Sequence, residues 1–383
     1  MFSAPVLASV FALASTLVGA APTGNLTASP PPQGGINTTA NSPPPVYAPD
    51  SDFDYQSLAL ALHQEWIELD LFHYGLVRFS DAEFEQYGIN AEQRSLIEFM
   101  ADQEVGHATL ISNMLGASGA PKQCTYNYST AFETVPEYID FCQRLTRWGE
   151  AGVYGFLPHM DSRPAAQLLL QAITTEARQQ MIFRQFEGLF PMPVYFEVGV
   201  PQSFAWHLLS RYITSCPSEN KPIQWNVYPA LEVVNGPSGI DVGFQAEAYP
   251  GGGPAITHNR TALSYPGMQV EFSWEAPGSV VGPYNQTTKV GAQVNLTNIT
   301  SSDLYVGWIS QLNTTYTPLN QTSNMTGTTI QPNATVFEET PNDQIVNGTS
   351  FVVIVSNPIH VTPFNLSLIT DYVVAGPALY QAS

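Results

Sequence analysis

The chain has 383 residues, room for two domains of ordinary size, and 44% of them are hydrophobic, enough to build substantial cores. Its charge is one-sided: 12 Lys and Arg against 32 Asp and Glu leave a formal net charge of −20. That balance excludes nucleic acid as a partner, since phosphate recognition needs clustered Lys and Arg, and it favours cations instead.

Residues 1–20, MFSAPVLASVFALASTLVGA, read as a secretory signal peptide, with small residues at Val18-Gly19-Ala20 as a cleavage point. The apolar run is too short to span a bilayer. A basic n-region is missing, so the reading leans on N-x-S/T sequons, which only an exported chain can use. These stand at Asn25, Asn37, Asn127, Asn259, Asn285, Asn295, Asn298, Asn313, Asn320, Asn324, Asn333, Asn347 and Asn365, crowding beyond residue 258. No later apolar run has membrane-helix length, and the tail around Asp371, Tyr380 and Gln381 is too polar for a lipid-anchor signal. The expected product is a glycoprotein, extracellular or in the cell wall, without membrane contact. An oxidising compartment favours one disulfide among Cys124, Cys142 and Cys216. Cys142 lies in a helical pattern, so Cys124 and Cys216, in Pro-bearing loops, are the favoured pair, though the sequence does not fix it.

Residues 21–50, with SPPPQGGINTT and NSPPPVYAPD, form a Pro/Ser/Thr-rich linker. Residues 51–216 then read as a helical bundle. The stretch DFDYQSLALALHQEWIELDLFHYGLVRF has apolar residues at helical spacing and no Pro, and would span roughly 40 Å. A second helix starts at Asn90, whose spacing to Gln93 suits a capping box, and stops near Gly116. A third starts at Thr134, with Glu137 completing a box and Pro136 in the first turn, and runs to Pro158. A fourth follows Ser162, with Pro164 in its first turn, and a short fifth helix follows Pro201. Short links within each pair and a long one between the second and third predict two helical hairpins joined by a crossover. Residues 217–383 change character: VEFSWEA, LYVGWIS and FVVIVSN are short apolar runs between turn residues, the pattern of an all-β sandwich-like domain. The expected fold class is therefore α+β and multidomain.

The chemistry lies on the bundle. Glu104 and His107 are three residues apart, so both reach one point from a single helix face. The first helix offers Glu65 and, one turn on, Glu68; the third offers Glu150; the fourth offers Glu176 and Gln179. An acid from each of two helices plus a Glu-x-x-His step from each of the other two builds a di-iron carboxylate centre in a four-helix bundle. Here the order repeats across the hairpins, and only the last ligand, Gln179, departs from it. Carboxylates converging in an apolar bundle need a counter-charge, and a carboxylate/imidazole set suits iron, manganese or zinc. The competing reading pairs Glu65 and Glu68 with Arg147 or Arg178 in a satisfied polar network without metal.

Over residues 50–235 the phrases HQEWIELDLFHYGL, FMADQEVGHATL, LTRWGEAGVYGFLPH and TTEARQQMIFRQFEGLFPMPV resemble a fungal family of stress-response and late sexual-development proteins with a ferritin-like domain, related to desiccation-linked ferritin-like proteins. The resemblance implies a ferritin-like four-helix bundle with metal ligands Glu65, Glu104, His107, Glu150 and Glu176. It favours Glu65 over Glu68, because an aromatic, Phe72, follows seven residues on. Gln179 stands where the family pattern has a second histidine. The expected function is metal binding with a di-iron-type oxidoreductase activity, ferroxidase or peroxide-scavenging. The alternative is a metal-free exported scaffold whose β-rich part contacts wall polysaccharide. No individual catalytic residue is assigned.

Overall fold

The computed structural model describes residues 38–240, 263–297, 304–333 and 348–383. The signal peptide, most of the linker, His258, the GGGP stretch and the sequons at Asn25, Asn37, Asn259, Asn298 and Asn347 lie outside the described residues.

Local chemistry sets the helix boundaries. Helix α1 (Asp52–Arg78) is capped by Ser51, whose side chain accepts from the Asp54 N–H, and Asp52 and Asp54 complement its N-terminal dipole. The Asp54 carboxylate also accepts from the backbone N–H of Asp161 and Ser162 at 3.0 and 2.9 Å, tying the start of α1 to a distant turn. A short helix, α2 (Asp81–Gln86), sits in the first connection; its own capping box is Ser80 with Glu83. Helix α3 (Ala91–Leu115) opens on the Asn90/Gln93 box and ends at Gly116, whose φ of +73° suits glycine. Helix α4 (Val135–Phe156) opens on the Thr134/Glu137 box with Pro in its first turn and tightens into a 3-10 turn at Leu157–His159. Helix α5 (Arg163–Phe186) starts from Ser162, and α6 (Gln202–Ser210) follows Pro201. Helix α1 packs along α3 and α4 along α5, so the bundle consists of two hairpins, with α1 against α4 between them.

The crossover from α3 to α4 carries β1 (Thr125–Tyr126), which pairs antiparallel with β2 (Ile213–Ser215). A disulfide joins Cys124 to Cys216 at this point, and Cys142 is a buried free thiol. The disulfide thus fastens the long crossover to the chain that leaves α6.

The β-rich part holds two four-stranded antiparallel sheets. One has the order β3 (Leu231–Val233), β4 (Gln269–Trp274), β10 (Thr326–Ile330), β9 (Asn320–Ser323). A small ribbon pairs β5 (Val280–Val281) with β6 (Gln286–Thr287). The other large sheet has the order β12 (Val373–Gln381), β11 (Thr349–Val355), β7 (Tyr305–Ser310), β8 (Asn313–Pro318). Strand β11 is buried at every position, and its two faces belong to different cores. Phe351, Val353 and Val355 share a cluster with bundle residues such as Phe183 and Trp148. Val352 and Ile354 instead join Phe272, Trp308 and Tyr380 between the sheets. The sheet containing β11 is therefore a middle layer, helices on one side and the second sheet on the other. A strand covered on both faces reads as a continuous apolar run, which is why FVVIV shows no alternation. A third cluster, including Leu62, Ile111 and Phe156, fills the opposite end of the bundle.

Candidate metal centre

The four long helices turn their acids inward. Glu65 on α1, Glu104 and His107 on α3, and Glu176 on α5 are all buried. His107 Nδ1 lies 2.9 Å from Glu104 Oε2, 3.3 Å from Glu65 Oε2 and 3.8 Å from Glu176 Oε1. One donor atom from each of these residues falls within 4.8 Å of all the others. Donors held about 2 Å from a shared ion stand at comparable separations. Two oxygens here have no hydrogen-bond donor: Glu68 Oε2 and Glu176 Oε2 are buried and unsatisfied. Orphaned carboxylate oxygens in a dry interior are costly unless a cation or proton meets them. The donor set therefore fits a metal ion.

Electrostatics agree with the crowding. Burial, opposed in part by His107, raises the Glu65 carboxyl to about 8. Burial, then the neighbouring Glu104 and Glu65, holds Glu68 well above the carboxylate range; burial and the same group of acids do so for Glu176. Burial alone would push His107 down, but its hydrogen bonds to Glu104 and Glu65 prevail and raise it to about 11. Without metal, the imidazolium is thus the cluster's own counter-charge.

Sequence spacing gave no sign of Thr175. Its Oγ1 lies 3.0 Å from His107 Nε2 and itself donates to the Ala172 carbonyl at 2.8 Å. With that hydroxyl proton committed, Thr175 can only accept, so Nε2 carries the hydrogen. In the neutral ring, Nδ1 then keeps its lone pair, facing the acids. This is the tautomer that a metal ligand needs, fixed from behind as such ligands usually are.

The second hairpin behaves differently. Glu150 is fully buried, but the Arg147 guanidinium, one turn earlier on α4, donates through Nη2 to Glu150 Oε2 and through Nη1 to Glu197 Oε2. Gln179 donates through Nε2 to Glu104 Oε1. Glu68 accepts from Gln64 Nε2 at 2.8 Å, and Gln64 also donates to the Leu145 carbonyl. The structure thus brings Glu65, Glu104, His107 and Glu176 to one point, places Glu150 on an arginine, and makes Gln179 a donor to Glu104. Of the arginines that could have neutralised Glu65 and Glu68, Arg178 is exposed and Arg147 is occupied by Glu150 and Glu197.

His207 and His159 are packing groups. His207 Nδ1 accepts from the Tyr228 N–H, and the His159 ring lies against Phe53 and Phe364. His63 sits beside Cys124 and Cys216, but their sulfurs are joined and offer no thiolate.

A bundle of two hairpins with inward acids defines a ferritin-like fold, and residues 51–189 match the Ferritin-like domain family. The chain is also similar to Protein rds1 of Schizosaccharomyces pombe, 52% identical over 362 residues, covering 92% of this chain and 86% of that protein. It belongs to the same fungal family as that protein. The fold is compatible with metal binding, and among the described residues no helix is long and apolar enough to cross a membrane.

Proposed function

We propose that this chain is an exported ferritin-like protein that binds iron, or a similar ion such as manganese or zinc, through Glu65, Glu104, His107 and Glu176. Its use in stress or development would be ferrous-ion oxidation or peroxide removal. The observation that carries the metal reading is the convergence of three buried acids on His107 Nδ1, with carboxylate oxygens that no protein donor satisfies. A bound ion would supply Lewis acidity, and iron or manganese would supply a redox change as well. The chain's own residues do the rest. Thr175 orients the imidazole, Gln179 steadies Glu104, and the surrounding apolar side chains keep the site dry. Export is supported by the sequence and by the sequons at Asn127, Asn285, Asn295, Asn320, Asn324 and Asn333, all on exposed residues that a glycosyltransferase could reach.

The test is elemental analysis of the protein secreted by a fungal host, after chelation and anaerobic reloading with Fe(II). We expect stoichiometric metal in the wild type and its loss in the Glu104→Ala, His107→Ala double variant. Less than about a tenth of an equivalent in the wild type would leave the metal-free scaffold as the function, and pull-down on wall glucan or chitin would then test that. Retention of the protein inside the cell, with no mobility shift on endoglycosidase treatment, would end the export part of the reading.

A further inference from the structure

We propose that the bundle holds one metal ion per chain, not two, and that the Arg147 guanidinium occupies the place where a second ion would sit beside Glu150. This deepens the metal reading above and rests on it. A second ion would draw on the second hairpin: Glu150 from α4, with Glu176 and Gln179 from α5. Each of these is already committed in a way that disfavours a second cation.

Arg147 lies one turn before Glu150 on α4 and is 5% exposed, so its charge is fixed inside the protein. It bridges Glu150 to Glu197, which comes from the segment between α5 and α6. An arginine stays protonated at any ordinary pH, so a second ion approaching Glu150 would meet a permanent like charge. The Gln179 amide points its nitrogen at two acceptors, Glu104 Oε1 and Gln103 Oε1, which fixes its orientation. Its only free ligand atom is then a neutral amide oxygen, a poor exchange for an imidazole. Glu176 reaches instead toward His107 and belongs to the first set. The pseudo-symmetry of the hairpins thus survives in the backbone, while the chemistry is split: three acids and a histidine for a metal, and an acid pair for an arginine.

The experiment uses the full chain, stripped with chelator and loaded without oxygen with Fe(II) and, separately, Mn(II). We expect one equivalent by elemental analysis and, for Mn(II), the six-line paramagnetic resonance signal of an isolated ion. Gln179→His should stay at one equivalent, because Arg147 remains. Arg147→Gln combined with Gln179→His should gain a second equivalent and show magnetic coupling between the ions. Two equivalents in the wild type or in Gln179→His would overturn the proposal, and so would a folded double variant that stays at one. If the double variant does not fold, the wild-type and Gln179→His counts decide. No metal at all in the wild type is a different result: it rejects the metal reading itself.

Discussion

Thr175 shows how much a single hydroxyl can settle. Its proton goes to the Ala172 carbonyl, so its oxygen is left to accept from His107 Nε2. Replacing it by the isosteric Thr175→Val keeps the shape and removes the acceptor. The imidazole then loses its fixed tautomer, and metal affinity should fall about 10- to 100-fold, the usual cost of deleting such a support. Thr175→Ser should retain affinity near that of the wild type. Competition against a chelator of known strength measures both; unchanged affinity in Thr175→Val would remove Thr175 from the site.

At the scale of elements, the bundle depends on how closely α1 and α4 approach. A Cβ built on Gly75 would lie 2.0 Å from Tyr138 Cζ, and Tyr138 is buried with its hydroxyl donating to the Phe72 carbonyl at 3.0 Å. Helix propensity alone favours alanine over glycine by about 1 kcal/mol. The clash is with the middle of a packed ring that has nowhere to go, and overpacking of this kind costs about 1–3 kcal/mol or more. Gly75→Ala should therefore destabilise the protein despite its better propensity. A thermal or urea midpoint at or above that of the wild type would show that the helices can separate cheaply. The same closeness lets Gln64 on α1 reach the Leu145 carbonyl on α4 while it holds Glu68.

The whole molecule carries a net charge of −20 and also buries acids, so its stability should depend on pH in a definite direction. Glu65 is raised to about 8 and His107 to about 11, and Glu68 and Glu176 are raised as well. Each of these groups holds its proton more tightly folded than unfolded, so the stability each contributes is lost as pH rises through its folded value. His63 works the other way: burial lowers it to about 4, so its contribution is complete above its unfolded value of 6.5 and is lost below that. Above pH 6.5 the acids and His107 therefore act in one direction and His63 adds no slope. The metal-free protein should lose stability steadily as pH rises from 6.5 to 8. Metal should offset that loss, because it replaces the protons. Thermal midpoints across this range, with and without Mn(II), measure both effects; a flat or rising metal-free profile would contradict them.

The sequence by itself determined the helices, and it did so through contacts a few residues long. Asn90/Gln93, Thr134/Glu137 and Ser162 set helix starts within the reach of one turn, and the structure begins helices there. Ser80/Glu83 carried the same kind of signal for α2, which the hydrophobic pattern alone does not show. The acids at helical spacing were legible too, as was the favoured Cys124–Cys216 pair. Only the tertiary structure decided which acids meet. Glu65 and Glu150 occupy matching positions in the two hairpins, yet one faces His107 and the other an arginine three residues away. Helix rotation and depth choose between those outcomes, and neither is encoded in spacing. The layering of the sheets is likewise non-local: FVVIV reads as apolar throughout because one face meets the bundle and the other meets Trp308 and Tyr380, distant in sequence. Short-range hydrogen bonds make secondary structure readable from a string of residues, whereas a charged centre forms only where packing brings remote groups into a region too dry to leave them apart.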